Sequence, residues 1–313
     1  MKAKLKDTRC TLSIGMIVKN EEKHLRDCLE ALKPLREAVT SELIIVDTGS
    51  EDATVEIAKE YTDQVYSFEW INDFAAARNF GLDKATGKWF MYLDADEILV
   101  SPDELIDFFH SEKESRQYNT VLVVIHSFLD KERVRFSDFT ATRIFRMNIG
   151  NRFHGTIHEV PNRIAPLKNL LQTRFDHYGY VFENQEERER KYQRNNQLLE
   201  LELEKDPDNL RLICLYSASC PNEKRRGLLE HGRELARDQT EHYYFPEVYW
   251  RLTREYNRLG EYQRTIETAD EYERPIHYSG VHHPRSQQKG QNPRPLHRKG
   301  RLLCGGGHSG APA

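Results

Sequence analysis

Few of the 313 residues are of the kinds that mark a secreted, membrane-spanning or metal-clustered protein. The five cysteines, Cys10, Cys28, Cys214, Cys220 and Cys304, lie far apart, are odd in number and contain no C-x-x-C pair. That excludes an obvious disulfide framework or zinc site and points to reduced thiols in a reducing compartment. No apolar run approaches the roughly 18 residues that a membrane-spanning helix needs. The basic start, residues 1–10, is not followed by a charge-free apolar stretch, so a secretory signal is not expected and a cytoplasmic location is. No G-x-G-x-x-G follows the first apolar run, which argues against a nicotinamide dehydrogenase. The loop after the first apolar run, Lys19-Asn20-Glu21, lacks the glycines that a triphosphate-holding loop of a nucleotidyltransferase would want.

Charge is unevenly spread. The net charge is −4, yet residues 274–313 hold seven Lys/Arg and no Asp/Glu, so the rest of the chain is more acidic than the total. An acidic body disfavours nucleic acid as a partner, because phosphate backbones select basic surfaces. It suits a cleft that collects carboxylates around a cation. The same forty residues hold seven of the 17 glycines and five of the 12 prolines, and read as a disordered tail.

What is present is an alternation of two periods. Thr11 to Val18, Leu43 to Val46, Gln64 to Glu69, Lys88 to Leu93 and Thr120 to Ser127 read as strands. Between them lie helical stretches: one through Leu25, Cys28, Leu29 and Leu32 that Pro34 closes, one that Ser50 caps, Ala75 to Ala85, and Pro102 to Phe109. The pattern predicts an α/β domain with a mostly parallel sheet and helices on both faces. Short strands follow, Arg143 to Met147 and His154 to Val160, and then helices from Arg188 to about Glu273. The stretch Tyr256-Asn-Arg-Leu-Gly260-Glu-Tyr262 resembles the inter-helix turn of a tetratricopeptide repeat. The expected division is 1–183 for the α/β domain, 184–273 for a small all-α extension and 274–313 for the tail.

In such sheets ligands gather at the carboxyl ends of the strands. The conspicuous polar clusters fall there: Lys19-Asn20-Glu21, Asp47-Thr48-Gly49-Ser50, and Asp94-Ala95-Asp96-Glu97. Two carboxylates directly after a buried strand are costly unless a cation neutralises them. Oxygen ligands of this kind suit Mn²⁺ or Mg²⁺, which keep positions open for substrate phosphates. Asp47 is placed to hydrogen-bond a nucleoside or, alternatively, to cap the next helix. Asn20-Glu21 has the same alternative, as the cap of the first helix.

These clusters carry a resemblance. Met16-Ile-Val-Lys-Asn-Glu-Glu22, Ile45-Val-Asp-Thr-Gly-Ser50, Asp73-Phe-Ala-Ala-Ala-Arg-Asn79 and Ala85-Thr-Gly-Lys-Trp89 with Leu93-Asp-Ala-Asp-Glu97 look like glycosyltransferase family 2. More narrowly they resemble its bacterial branch with a GT-A domain and C-terminal tetratricopeptide helices, which includes the peptide S-glycosyltransferases of glycocin biosynthesis. The resemblance implies an inverting transfer from a UDP-sugar. Val18, Asn20, Glu21, Asp47, Ser50, Arg78, Asp94 and Ala95 would bind the donor. Within that set Asp47 contacts the uracil–ribose part, Arg78 lies against the nucleotide and Asp94 contacts ribose.

The same resemblance places Asp96 on the metal and makes His177 a further metal ligand. Gly155-Thr-Ile-His158-Glu159 and His177-Tyr-Gly-Tyr180 resemble the acceptor-side motifs of that branch. Glu159, paired with His158, is the candidate base, and Trp70 lines the sugar pocket or packs as a core aromatic. His154 is a weaker candidate ligand. The acceptor implied is a peptide, saccharide or lipid carrier, with a homodimer through the helical extension. The Gln-x-x-Arg-Trp motif of processive polysaccharide synthases is absent. The competing expectation is a non-catalytic helical-repeat adaptor carrying a degenerate transferase domain.

Overall fold

The computed structural model describes residues 10–161, 165–237 and 239–273. Ten strands appear among them: β1 Leu12–Val18, β2 Ser41–Asp47, β3 Val65–Ser67, β4 Trp89–Leu93, β5 Glu97–Leu99, β6 Thr120–Phe128, β7 Phe136–Arg146, β8 Phe153–His154, β9 Val160–Pro161 and β10 Leu167–His177. Six helices accompany the sheet: α1 Leu25–Ala31, α2 Lys33–Ala38, α3 Thr54–Lys59, α4 Phe74–Lys84, α5 Asp103–His110 and α6 Glu112–Ser115. Five more follow: α7 Gln185–Lys205, α8 Leu210–Ser217, α9 Asn222–Ala236, α10 Phe245–Arg258 and α11 Tyr262–Glu273.

Eight strands form one sheet in the order β3-β2-β1-β4-β7-β6-β10-β5. The pairs among β3, β2, β1 and β4 are parallel, as is β6 with β10. Strand β7 runs antiparallel to both its neighbours, and β5 antiparallel to β10. The expected α/β class and mostly parallel sheet are therefore present, with antiparallel pairings in the half that follows β4.

The period-two alternation of a strand explains why β1, β2 and β4 read as continuous apolar runs. Leu12, Ile14, Met16, Leu43, Ile45, Trp89 and Met91 face one apolar cluster, shared with Leu25 and Leu29 of α1, Leu35 of α2 and Phe108 of α5. Ile44, Val46, Phe90 and Tyr92 face a second, shared with Ala75 and Leu82 of α4. Gly15 stands among these large side chains for a steric reason: a Cβ there would meet the Phe90 ring at 2.2 Å. Both faces are thus covered by helices.

Several local expectations are corrected. Pro34 does not close a helix; it sits in the first turn of α2, where its missing N–H costs nothing. Ser50 is not the cap of α3, whose N-cap is Ala53, because its hydroxyl is already accepting from Asn20 N. The strand expected at Arg143 is only the end of the long β7, and β5 and β10 have no counterpart in the expected pattern.

Helices α7, α8 and α10 pack around Leu199, Leu203, Ile213 and Val248, and Ile157 and Phe74 of the preceding part join that cluster. The border expected at residue 184 falls between β10 and α7, and the described residues on both sides of it belong to one compact unit. Gly260, at φ 75°, ends α10 with the left-handed turn that glycine permits. The expected tail at 274–313 lies outside the described residues. No helix among the described residues is long and apolar enough to cross a membrane.

Candidate active site

The carboxyl ends of β1, β2 and β4 lie along one edge of the sheet, since Val18 is in register with Asp47 and Met16 with Leu93. The first two loops are tied to each other. Thr48 N donates to Val18 O at 2.9 Å, Asn20 N to Ser50 Oγ at 2.9 Å, and Glu51 N to Asn20 Oδ1 at 2.8 Å. Glu21 N donates to Thr54 Oγ1 at 2.7 Å. Asn20 has φ 55° and Gly49 φ 100°, left-handed turns that asparagine and glycine tolerate. The buried Asp47 carboxylate accepts from Gly49 N and Ser50 N, both at 3.1 Å. It therefore shapes its own loop rather than capping α3, whose N-cap is Ala53, and keeps lone pairs to offer.

Asp94 and Asp96 follow β4 directly. Arg78, only 7% exposed, reaches from α4 to Asp94, its Nη2 donating to Oδ1 at 2.6 Å. Its Nε donates to Glu159, and its guanidinium stacks on Tyr92 and Phe153 at 5.2 and 5.9 Å. Arg78 Nη1 is buried without a hydrogen-bond partner among the described residues. Enclosure pushes the Asp94 carboxyl up, but the nearby Arg78 and Arg143 more than offset it and hold it at about 2. Ala95 is buried beneath the two acids. Glu97 is buried as well and carries Arg143 on both its oxygens.

Asp96 is arranged differently. Its side chain is 15% exposed, and Oδ1 is buried with no hydrogen-bond partner among the described residues. His177 Nε2 faces that oxygen at 3.8 Å, while Nδ1 of the same ring bonds Ser127 Oγ at 2.9 Å. Backbone pairing brings them together: His177 at the end of β10 is in register with Glu97 of β5, and Tyr178 N donates to Asp96 O at 3.0 Å. Desolvation raises the Asp96 carboxyl pKa; His177 opposes the rise and Asp94 adds to it. Glu21 joins the same acidic neighbourhood. Burial, then Asp96 and Asp94, push its carboxyl up to about 8.

Over this pair passes the backbone of Gly179. A Cβ there would lie 2.5 Å from His177 Nε2 and 2.6 Å from Asp96 Oδ2, so only glycine fits. An unbonded buried carboxylate oxygen, a ring nitrogen aimed at it and a fixed Nδ1 partner form a donor set that suits a divalent cation. It supplies two side chains; no group of three His, Cys, Asp or Glu among the described residues is arranged around a common point. That fits a cation which keeps water and phosphate oxygens as its other ligands.

On the acceptor side Glu159 takes Arg78 as its partner rather than His158. His158 is exposed, at φ 52°, and its carbonyl accepts from Arg211 of α8. His154 is exposed on β8, away from the expected ligand role. Trp70 packs edge-on against Phe74 at 4.8 Å, and its Nε1 donates to Asn72 Oδ1 at 3.0 Å. A cavity of about 480 Å³ opens on Asp96, lined also by Asn20, Glu21, Gly179, Lys191 and Arg194. Arg143, Ser127 and Gly179 carry no role of their own in the sequence reasoning. The only available signal was the position of Gly179 inside the His-x-Gly-Tyr stretch.

Residues 13–175 match the family described as Glycosyl transferase family 2. The chain is 29% identical over 219 residues to the SPbeta prophage-derived glycosyltransferase SunS of Bacillus subtilis (strain 168), covering 66% of this chain and 48% of that one. It is 34% identical over 96 residues to the putative glycosyltransferase EpsH of the same organism, covering 29% and 27% of the two chains. The chain thus spans about half the length of SunS, and less of EpsH. Among solved structures it is similar to S. aureus TarS in complex with UDP-GlcNAc, at 15% identity and a TM-score of 0.45, over 84% of this chain and 89% of that one.

Proposed function

The chain belongs to glycosyl transferase family 2, and on that premise we propose that it transfers a sugar from a UDP-sugar to an acceptor with inversion at the anomeric carbon. The observation that carries the reading is the buried, unbonded Oδ1 of Asp96, faced by His177 Nε2 beneath Gly179. Asp96 and His177 would hold Mn²⁺ or Mg²⁺. Bound there, the cation supplies positive charge against the diphosphate of the departing nucleotide.

The other roles fall to side chains that are already positioned. Asp47 and Asp94 take the nucleoside, with Val18, Asn20, Glu21, Ser50 and Ala95 forming the loop walls around it. Arg78 fixes Asp94 and Glu159 relative to each other, because one buried guanidinium bonds both. Glu159 accepts the proton of the attacking acceptor group as that group bonds to the anomeric carbon. The bond from that carbon to the diphosphate breaks, and UDP leaves with the electron pair. Trp70 and His158 stand on the acceptor side. Residues 1–183 carry the transfer, and 184–273 form the helical extension, through which two copies pair. The acceptor is a peptide, saccharide or lipid carrier, and the place of work is the cytoplasm.

A thermal-shift panel of nucleotide-sugars, with and without Mn²⁺, tests this. UDP-sugars with Mn²⁺ should raise Tm, and Asp96→Asn should remove the metal-dependent part of the rise. A preference for GDP-sugars would overturn the donor assignment. Silence toward every donor, with no hydrolysis of UDP-glucose, would favour the non-catalytic adaptor.

A further inference from the structure

The cavity over Asp96 has two walls of opposite sign. One carries Asp96 and Glu21; the other is the face of α7 bearing Glu187, Arg190, Lys191 and Arg194. These four recur at i, i+3, i+4 and i+7, so they share one helical face. Arg190, Lys191 and Arg194 form no ion pair among the described residues, whereas Lys224, Arg225, Arg226 and Arg233 of α9 are each paired with an acid. Lys191 Nζ donates instead to the carbonyl of Gly179 at 2.8 Å, on the very residue that covers Asp96 and His177. Its ammonium also lies 5.4 Å from the Tyr180 ring centroid. Arg194 rests on the Phe74 ring at 5.4 Å and, among the described residues, otherwise bonds only Asn195.

Lys191 is half-buried and Arg190 and Arg194 are exposed; three like charges on one helical face around a cavity repel one another, and an arriving anion would relieve them. The acids opposite cannot be that anion for all three, because Asp96 points its free oxygen at His177. We propose that Lys191 and Arg194, with Arg190 at the rim, form the diphosphate-binding wall of the donor site. The helical extension then completes the site rather than adjoining it. Lysine suits this place as a compact point charge on phosphate oxygens, and arginine as a fork able to hold two of them. The assignment rests on the UDP-sugar reading above, which names the diphosphate.

The test is equilibrium binding of uridine, UDP and inorganic pyrophosphate, each with Mn²⁺, to the full chain and its variants. Lys191→Met should weaken UDP and pyrophosphate by about tenfold or more and leave uridine unchanged. Lys191→Arg should recover most of that loss, and Arg194→Gln should add a smaller loss of the same selectivity. Unchanged UDP and pyrophosphate binding in Lys191→Met would overturn the proposal. So would an equal loss for uridine and UDP, which is the mark of a damaged fold, if Lys191→Arg shared it. Absence of pyrophosphate binding by the unaltered protein would overturn it too. If guanosine and GDP bind as well as uridine and UDP while pyrophosphate still depends on Lys191, the wall stands and the donor reading fails.

Discussion

Asp94 and Asp96 stand two residues apart and meet opposite surroundings. Asp94 is 46% exposed, salt-bridged to Arg78, and held ionised at about 2. Asp96 is more enclosed, has an oxygen with no bond, and carries a raised pKa. The difference arises because Asp94 is served by α4, an element preceding it in the chain, whereas Asp96 is served by β10 and the loop beyond it. One acid is satisfied within the protein. The other is left short of a positive partner, and that shortage is what a cation would fill.

The sharpest way to break this contrast is to neutralise each acid in turn. Asp96→Asn should cut turnover by about 10²–10³-fold, while Asp94→Asn, whose guanidinium partner keeps Glu159, should cost about tenfold. Steady-state rates at saturating Mn²⁺ measure both, and equal losses would erase the distinction. Next in size, Gly179→Ala places a methyl against both His177 Nε2 and Asp96 Oδ2. It should abolish Mn²⁺-dependent nucleotide binding and leave Asp94-side binding of uridine in place, as titration calorimetry would report. Smaller again, Ser127→Ala removes the bond that fixes His177 Nδ1. A loss of about tenfold in Mn²⁺ affinity with little change in Tm is expected.

The smallest effect concerns pH. The folded pKa of Glu21, about 8, lies above its ordinary value of 4.5. Between these two values the native state binds more protons than the unfolded chain, so this group's contribution to stability is complete below 4.5 and is lost as pH rises through 8. Metal-free protein should therefore lose Tm between pH 6 and 8.5. The slope should flatten in Glu21→Gln and in the presence of Mn²⁺, and a slope unchanged in that variant would remove Glu21 from the acidic wall.

The ends of β1, β2 and β4 were legible in the pattern of the sequence, whereas the pairing of His177 with Asp96 was implied only by the family resemblance. Strands β1, β2 and β4 are apolar on both faces, so their ends, and the polar loops there, stood out from the composition alone. Arg78 could be placed because the stretch Asp73 to Asn79, which reads as helical from Ala75, carries the family resemblance. Strand β10 gave no such signal, because its outward residues are polar and its register shifts between Leu170 and Arg174. Three-residue β5 is too short for any period to show. The cations of α7 sit in the run Glu186 to Arg194, which reads as an ordinary solvated face until the fold turns that face toward Asp96. Ser50 and Pro34 misled because each residue type suits more than one local role: Ser50 accepts from the distant Asn20 N, and Pro34 sits in the first turn of α2.

The apolar cluster that Ile157 and Phe74 share with α7, α8 and α10 bears on how such proteins are recombined. Glu202 of α7 accepts from Thr156 N, and Arg211 of α8 donates to His158 O, so the segment leading to Glu159 is gripped by helices that come later in the chain. A chimaera spliced at residue 184, joining these first strands to the helices of a relative, would leave Phe74 and Ile157 against side chains not shaped for them. The grip on the segment before Glu159 would loosen in the same cut. A working splice has to carry the 153–161 hairpin with the helices, so the seam of the molecule does not run where the chain changes from strands to helices.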